Sequence, residues 1–151
     1  MSFVDQITED IKNAMKARDH VRLEAVRGIK KELIEAMTAK GANEELNEAD
    51  VMKLLQKMVK QRRDTALIYI EQNRQDLADE ETAQADIIAS YLPAEMTPAE
   101  LEAAVAAIIE KVGATSMKDM GKVMGTASKE LAGRADGKNI SDCVKKLLAK
   151  A

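Results

Sequence analysis

The chain has 151 residues, 46% hydrophobic and 32% charged, with a formal net charge of −3. It holds one Cys, one His, no Trp, one Phe and two Tyr. One Cys excludes an internal disulfide or a multi-thiolate zinc site, and one His excludes the clusters of metalloproteases and zinc deaminases. No apolar run approaches the roughly 20 residues of a membrane span, and the N-terminus lacks a signal-peptide pattern. The expectation is an intracellular, cytoplasmic chain without membrane contact.

With so few aromatics, Leu, Ile, Val, Met and Ala must fill the core, and most of these favour helices. The only prolines are Pro93 and Pro98. The fold expected is all-α. The nine Met residues are scattered, which suits core filling better than a peptide-binding surface.

The helical pattern falls into four segments before Pro93. The first covers 3–17, with Phe3, Ile7 and Ile11 on one face. The second covers 20–38, with Val26, Ile29, Leu33 and Met37 at helical spacing. Gly41 and Asn43 mark a loop. The third covers 47–71, capped by Asn47 with Asp50 in a capping-box-like position. Its apolar face is strong at Val51, Leu54, Leu55 and Met58 and continues weakly through Thr65, Ile68 and Tyr69. The fourth covers 75–91. Thr97-Pro98 with Glu100 then signals a helix start at 98. Three shorter helices follow: 98–111 ended by Gly113, 117–131 capped by Ser116, and 138–149. This divides the chain into a four-helix domain over 1–93 and a three-helix domain over 98–151.

Charge divides at the same place. Residues 1–97 carry 14 Lys/Arg against 19 Asp/Glu, whereas residues 98–151 carry 9 against 7. The acidic average conceals a mildly basic C-terminal part, and local patches decide RNA binding.

The sixth helix carries the strongest functional signal. On a wheel, Met117, Met120, Met124, Ala127 and Leu131 form an apolar face. Lys118, Lys122 and Lys129 gather on another within about 40°, with Gly125 among them and Gly121 at the boundary. Each interior glycine costs about 1 kcal/mol relative to Ala. Two invite a reason: close approach of a neighbouring helix, or of a partner such as a phosphate backbone. The turn Gly133-Arg134-Ala135-Asp136-Gly137 is open to two readings as well. In one, Gly133 ends a helix at positive φ and Asp136 caps the next. In the other, Arg134 and Lys138 aim at phosphate or a base. It lacks the spacer and Gly-Lys-Ser/Thr ending of a phosphate-binding nucleotide loop.

The basic residues of the N-terminal part, Lys12, Lys16, Arg27, Lys31 and Arg63, sit among carboxylates and read as solvated faces. Arg22 and Arg62 lie on or beside apolar stripes, where they either snorkel or line an interhelical groove.

These residues assemble no catalytic site. His20 and Cys143 lie on distant segments, and Cys143 reads as a small core filler. The acidic cluster Asp76, Asp79, Glu80 and Glu81 suits a helix start. Neither a metal nor another cofactor is called for. Phe3, Tyr69 and Tyr91 fit helix faces as core, so no stacking platform for single strands is expected. Any bound RNA should be folded and recognised by backbone and shape.

The run Asp119-Met-Gly-Lys-Val-Met-Gly125, with Gly133-Arg-Ala-Asp-Gly137, resembles the tail domain shared by YqeY-like proteins and the B subunit of glutamine-dependent tRNA amidotransferase. Residues 9–30, Gln61-Arg62-Arg63-Asp64 and Tyr91-Leu92-Pro93 resemble the free-standing YqeY type. The resemblance implies four N-terminal and three C-terminal helices. It implies RNA contact at Lys118, Gly121, Lys122, Gly125, Gly133, Arg134 and Gly137. The wheel adds Lys129, and the turn adds Lys138. Ser128 departs from the apolar residue frequent in the family. The chain matches neither catalytic part of the amidotransferase, so a carbon–nitrogen ligase label would be inherited from the multidomain relative. The function expected is non-catalytic binding of tRNA or another structured RNA. The alternatives are a protein-interaction module and an accessory component of glutamine-dependent amidotransfer.

Overall fold

A computed structural model describes residues 2–39, 41 and 46–150. Among them are seven α-helices and no strand: α1 (Phe3–Ala17), α2 (His20–Ala39), α3 (Glu48–Glu71), α4 (Gln75–Ala89), α5 (Pro98–Val112), α6 (Met120–Glu130) and α7 (Gly137–Lys150). The all-α expectation, four helices then three, is met. The chain divides into two compact units, Met1–Leu92 and Pro93–Ala151.

In the first unit, local signals set the helix ends. Ser2 and Asp5 form a capping box on α1, and Arg18 ends it in the left-handed region at φ 55°. Asn47 accepts from the Asp50 N–H at 2.8 Å to start α3. The expected loop at Gly41 is present with φ 82°, while Asn43 lies outside the described residues. Ile7, Ala25, Ile29, Leu33, Val51, Leu55, Met58 and Ile88 form the core. Phe3 and Tyr91 pack edge to face at its margin, with ring centroids 5.9 Å apart. The Tyr91 hydroxyl donates to Asp10 at 2.5 Å. Burial, and then the Asp10 carboxylate, push the phenol pKa up from its ordinary value.

Arg62 is half-buried and its Nη1 donates to Glu81 on α4 at 3.3 Å. Its Nη2 lies 3.4 Å from where a Cβ on Gly28 of α2 would stand. The side chain therefore lines an interhelical groove rather than snorkelling. The weak apolar continuation of α3 does not hold at Ile68, which is 52% exposed. Near this end of the α3–α4 hairpin the buried positions are alanines, Ala66 and Ala78. Small residues let the two helices close up and leave the larger neighbours outside.

In the second unit, Thr97 and Glu100 make a capping box and Pro98 is the first helical residue. Gly113 ends α5 at φ 70°. Leu101, Val105, Ile108, Val123, Ala127, Leu131, Ile140, Val144 and Leu148 supply its core. One expectation is corrected. The sixth segment is not a single α-helix over 117–131 but a 3-10 turn, Met117–Asp119, followed by α6. A 3-10 turn winds tighter than an α-helix, so residues before and after it do not share one wheel. Met117 is consequently 47% exposed. Val123, absent from the expected apolar face, is fully buried with Ala127, while Met120 and Met124 flank the core half-buried.

Candidate nucleic-acid interface

Four of the nine residues expected at an RNA site come together on α6. Gly121, Lys122, Gly125 and Lys129, with Thr126 and Glu130, line one shallow open groove of about 320 Å³. The chain builds it simply. Val123 and Ala127 anchor the inner face of α6, and the residues two positions away, Gly121, Gly125 and Lys129, turn outward at 100° per residue.

The two glycines are bare. An added Cβ at Gly121 or Gly125 would meet no atom within 4 Å beyond its own helix, and both residues are exposed. Close packing against α7, the alternative that the sequence leaves open, does not account for them. Without Cβ atoms, the helix backbone itself forms the floor of the groove.

The electrostatics of the groove are cationic. Its carboxylate, Glu130, accepts from Lys111 at 2.7 Å and is neutralised there. Lys122 and Lys129 are exposed and make no ion pair among the described residues. They stand about 10 Å apart along the axis, by the rise of 1.5 Å per residue.

The other five expected residues stand elsewhere. Lys118 is exposed on the 3-10 turn. Gly133 is buried at φ 81° after α6, as a helix-ending glycine. Gly137 opens α7 and Lys138 is exposed beside it. Asp136 caps α7, its Oδ1 accepting from the Asn139 N–H at 2.7 Å. Arg134 is engaged inside its own unit. Its Nε donates to the Ala94 carbonyl at 2.7 Å, and its Nη2 lies 3.9 Å from Glu100. The Arg134 carbonyl accepts from the Met96 N–H at 2.8 Å. The guanidinium thus clasps the segment leading into α5, a role with no local sequence signal because its partners lie about forty residues away.

His20 is exposed, and Cys143 is half-buried rather than a core residue. No cluster of metal-ligating side chains occurs among the described residues. Within the acidic cluster, Asp76 is tied to Arg74 and Glu81 to Arg62. No described helix is long and apolar enough to cross a membrane.

The chain is thus a small all-α protein whose C-terminal unit presents a bare, lysine-flanked helix. A family model for Yqey-like protein matches residues 4–148. The chain belongs to that YqeY-like family. Curated relatives carry the name Altered inheritance of mitochondria protein 41, mitochondrial. The one from Lachancea thermotolerans is 32% identical over 98 residues, covering 60% of this chain and 50% of the relative. That from Vanderwaltozyma polyspora is 29% identical over 124 residues, covering 76% and 64%. That from Pyrenophora tritici-repentis is 27% identical over 133 residues, covering 86% and 71%. The chain therefore spans about half to two thirds of the length of the first two. These relatives are mitochondrial by name, which overturns the cytoplasmic location expected from composition. Composition registers solvent and redox class, and it does not register a compartment.

Proposed function

We propose that this chain binds a folded RNA, such as a tRNA, through the glycine-bared face of α6 and does no chemistry of its own. The observation that carries the reading is the pair Gly121 and Gly125, exposed, with none of the described residues packed against them. Gly125, in the interior of α6, costs about 1 kcal/mol relative to alanine, and Gly121, in its first turn, costs less. No contact among the described residues returns that cost, whereas a ribose–phosphate backbone lying directly on the helix would. Lys122 and Lys129 flank the floor and reach separate phosphates. Lys118 and Lys138 stand as further cations in the same unit. The exposed surface of α6 carries no ring, so recognition rests on backbone and shape.

The test is binding of bulk tRNA to the whole chain at several salt concentrations. Affinity should fall with salt, and Lys122→Ala with Lys129→Ala should flatten the slope by roughly 1 to 2 in log–log terms. Salt-independent binding, or none at micromolar protein, overturns the reading.

A further inference from the structure

A second concavity in the C-terminal unit has the opposite character. It is formed by α5, α7 and the segment before α5, and it encloses about 320 Å³. Leu101, Met96, Ala135 and Cys143 make an apolar floor, and Glu95 and Asp142 stand exposed among its lining residues. Glu102 and Lys146 also line it and offset each other 3.7 Å apart, which leaves Glu95 and Asp142 as its net charge. Glu95 and Asp142 make no ion pair or hydrogen bond among the described residues. The wall is held rather than loose. Arg134 pins Ala94 and Met96 from both its side chain and its carbonyl.

Two free carboxylates beside an apolar floor call for a ligand with its apolar part inside and its positive charge outside. A lone lysine side chain entering tip first would reverse that order, placing its charge on the floor. An amphipathic helix meets it. One Leu or Met enters the cavity, and basic residues three or four positions away lie over the rim. We propose that this cavity docks a basic amphipathic helix of a protein partner. It is independent of the RNA reading, which rests on α6.

The single Cys in the chain sits in the floor, so chemical blocking is confined to this site. The probes are a blocked amphipathic peptide of Leu and Lys and a Leu/Glu peptide of the same pattern, titrated against the whole chain. The Leu/Lys peptide should bind and the Leu/Glu peptide should not. Glu95→Gln with Asp142→Asn should weaken binding several-fold while Lys122→Ala leaves it unchanged. Alkylating Cys143 with uncharged iodoacetamide should weaken it likewise by filling the floor. Equal affinity of both peptides, or binding indifferent to the carboxylate variants, overturns the proposal. Self-association of the free chain that alkylation abolishes assigns the cavity to a second copy, and also overturns it.

Discussion

Gly121 and Gly125 lie one turn apart on the outer face of α6, and at neither would a Cβ touch another element among the described residues. Helix propensity and the proposed RNA contact therefore pull apart at these two positions. Gly121→Ala and Gly125→Ala should each stabilise the C-terminal unit by about 0.5–1 kcal/mol. The same changes should weaken tRNA binding, because each methyl group lifts the backbone of the RNA off the helix. Thermal unfolding and a binding titration on the same samples check both. Stabilisation with unchanged binding would leave the glycines without a role.

Arg134 should act on stability rather than on binding. Its guanidinium holds the Ala94 carbonyl and approaches Glu100. Arg134→Ala should cost about 1.5 kcal/mol, the low end of the range for a hydrogen bond from a charged donor, because the side chain is partly exposed. Its effect on tRNA affinity should be smaller than that of Lys122→Ala. Denaturant unfolding and the salt titration separate the two.

The rotational phase of α6 is testable by core truncation. Val123 is fully buried whereas Met117 is 47% exposed. Val123→Ala should cost about 1–3 kcal/mol. Met117→Ala should lie within about 0.5 kcal/mol of the parent. The reverse order would restore the unbroken wheel.

The Arg62–Glu81 pair should cost more to break than to replace whole. The Arg62 Nε is buried without a hydrogen-bond partner. Replacing the whole pair, Arg62→Met with Glu81→Leu, removes that unsatisfied donor and leaves no charge unpaired, so the double change should be neutral or stabilising. Glu81→Ala leaves the guanidinium without its carboxylate and should destabilise by about 1 kcal/mol or more. Chemical unfolding of the two variants reads the difference.

Tyr91 should govern the alkaline limb of stability. Its folded pKa lies above the ordinary value of 10.0 through burial and Asp10. The folded state therefore holds this proton more tightly than the unfolded chain. The stabilisation is fully present below about pH 10 and is lost as the pH rises through the folded pKa. Tyr91→Phe should lower stability at neutral pH and flatten the fall above pH 10, followed by thermal unfolding across that range.

The helix ends were legible because their causes are local. Thr97-Pro98 with Glu100, Asn47 with Asp50, and Gly113 each act within one turn, and each appears where the pattern places it. The floor of the α6 groove was legible for the same reason, since Gly121, Lys122, Gly125 and Lys129 share a face by spacing alone. The α5–α7 cavity has no comparable local signal, although Asn139, Asp142, Cys143 and Lys146 follow helical spacing on α7. A stripe of that kind looks like any solvated edge until a second element stands opposite it.

Composition and periodicity determined an all-α chain, its seven helical segments and the acidic-to-basic change along it, because helix formation and capping are governed by neighbours within a few residues. Tertiary structure alone decided three things. It showed that the glycines of α6 face open space rather than α7. It turned Arg134 from a free cation into a clasp on Ala94. It set Val123, not Met117, against the core. Each depends on the packing of segments far apart in the chain, and no local pattern encodes which atoms will stand opposite.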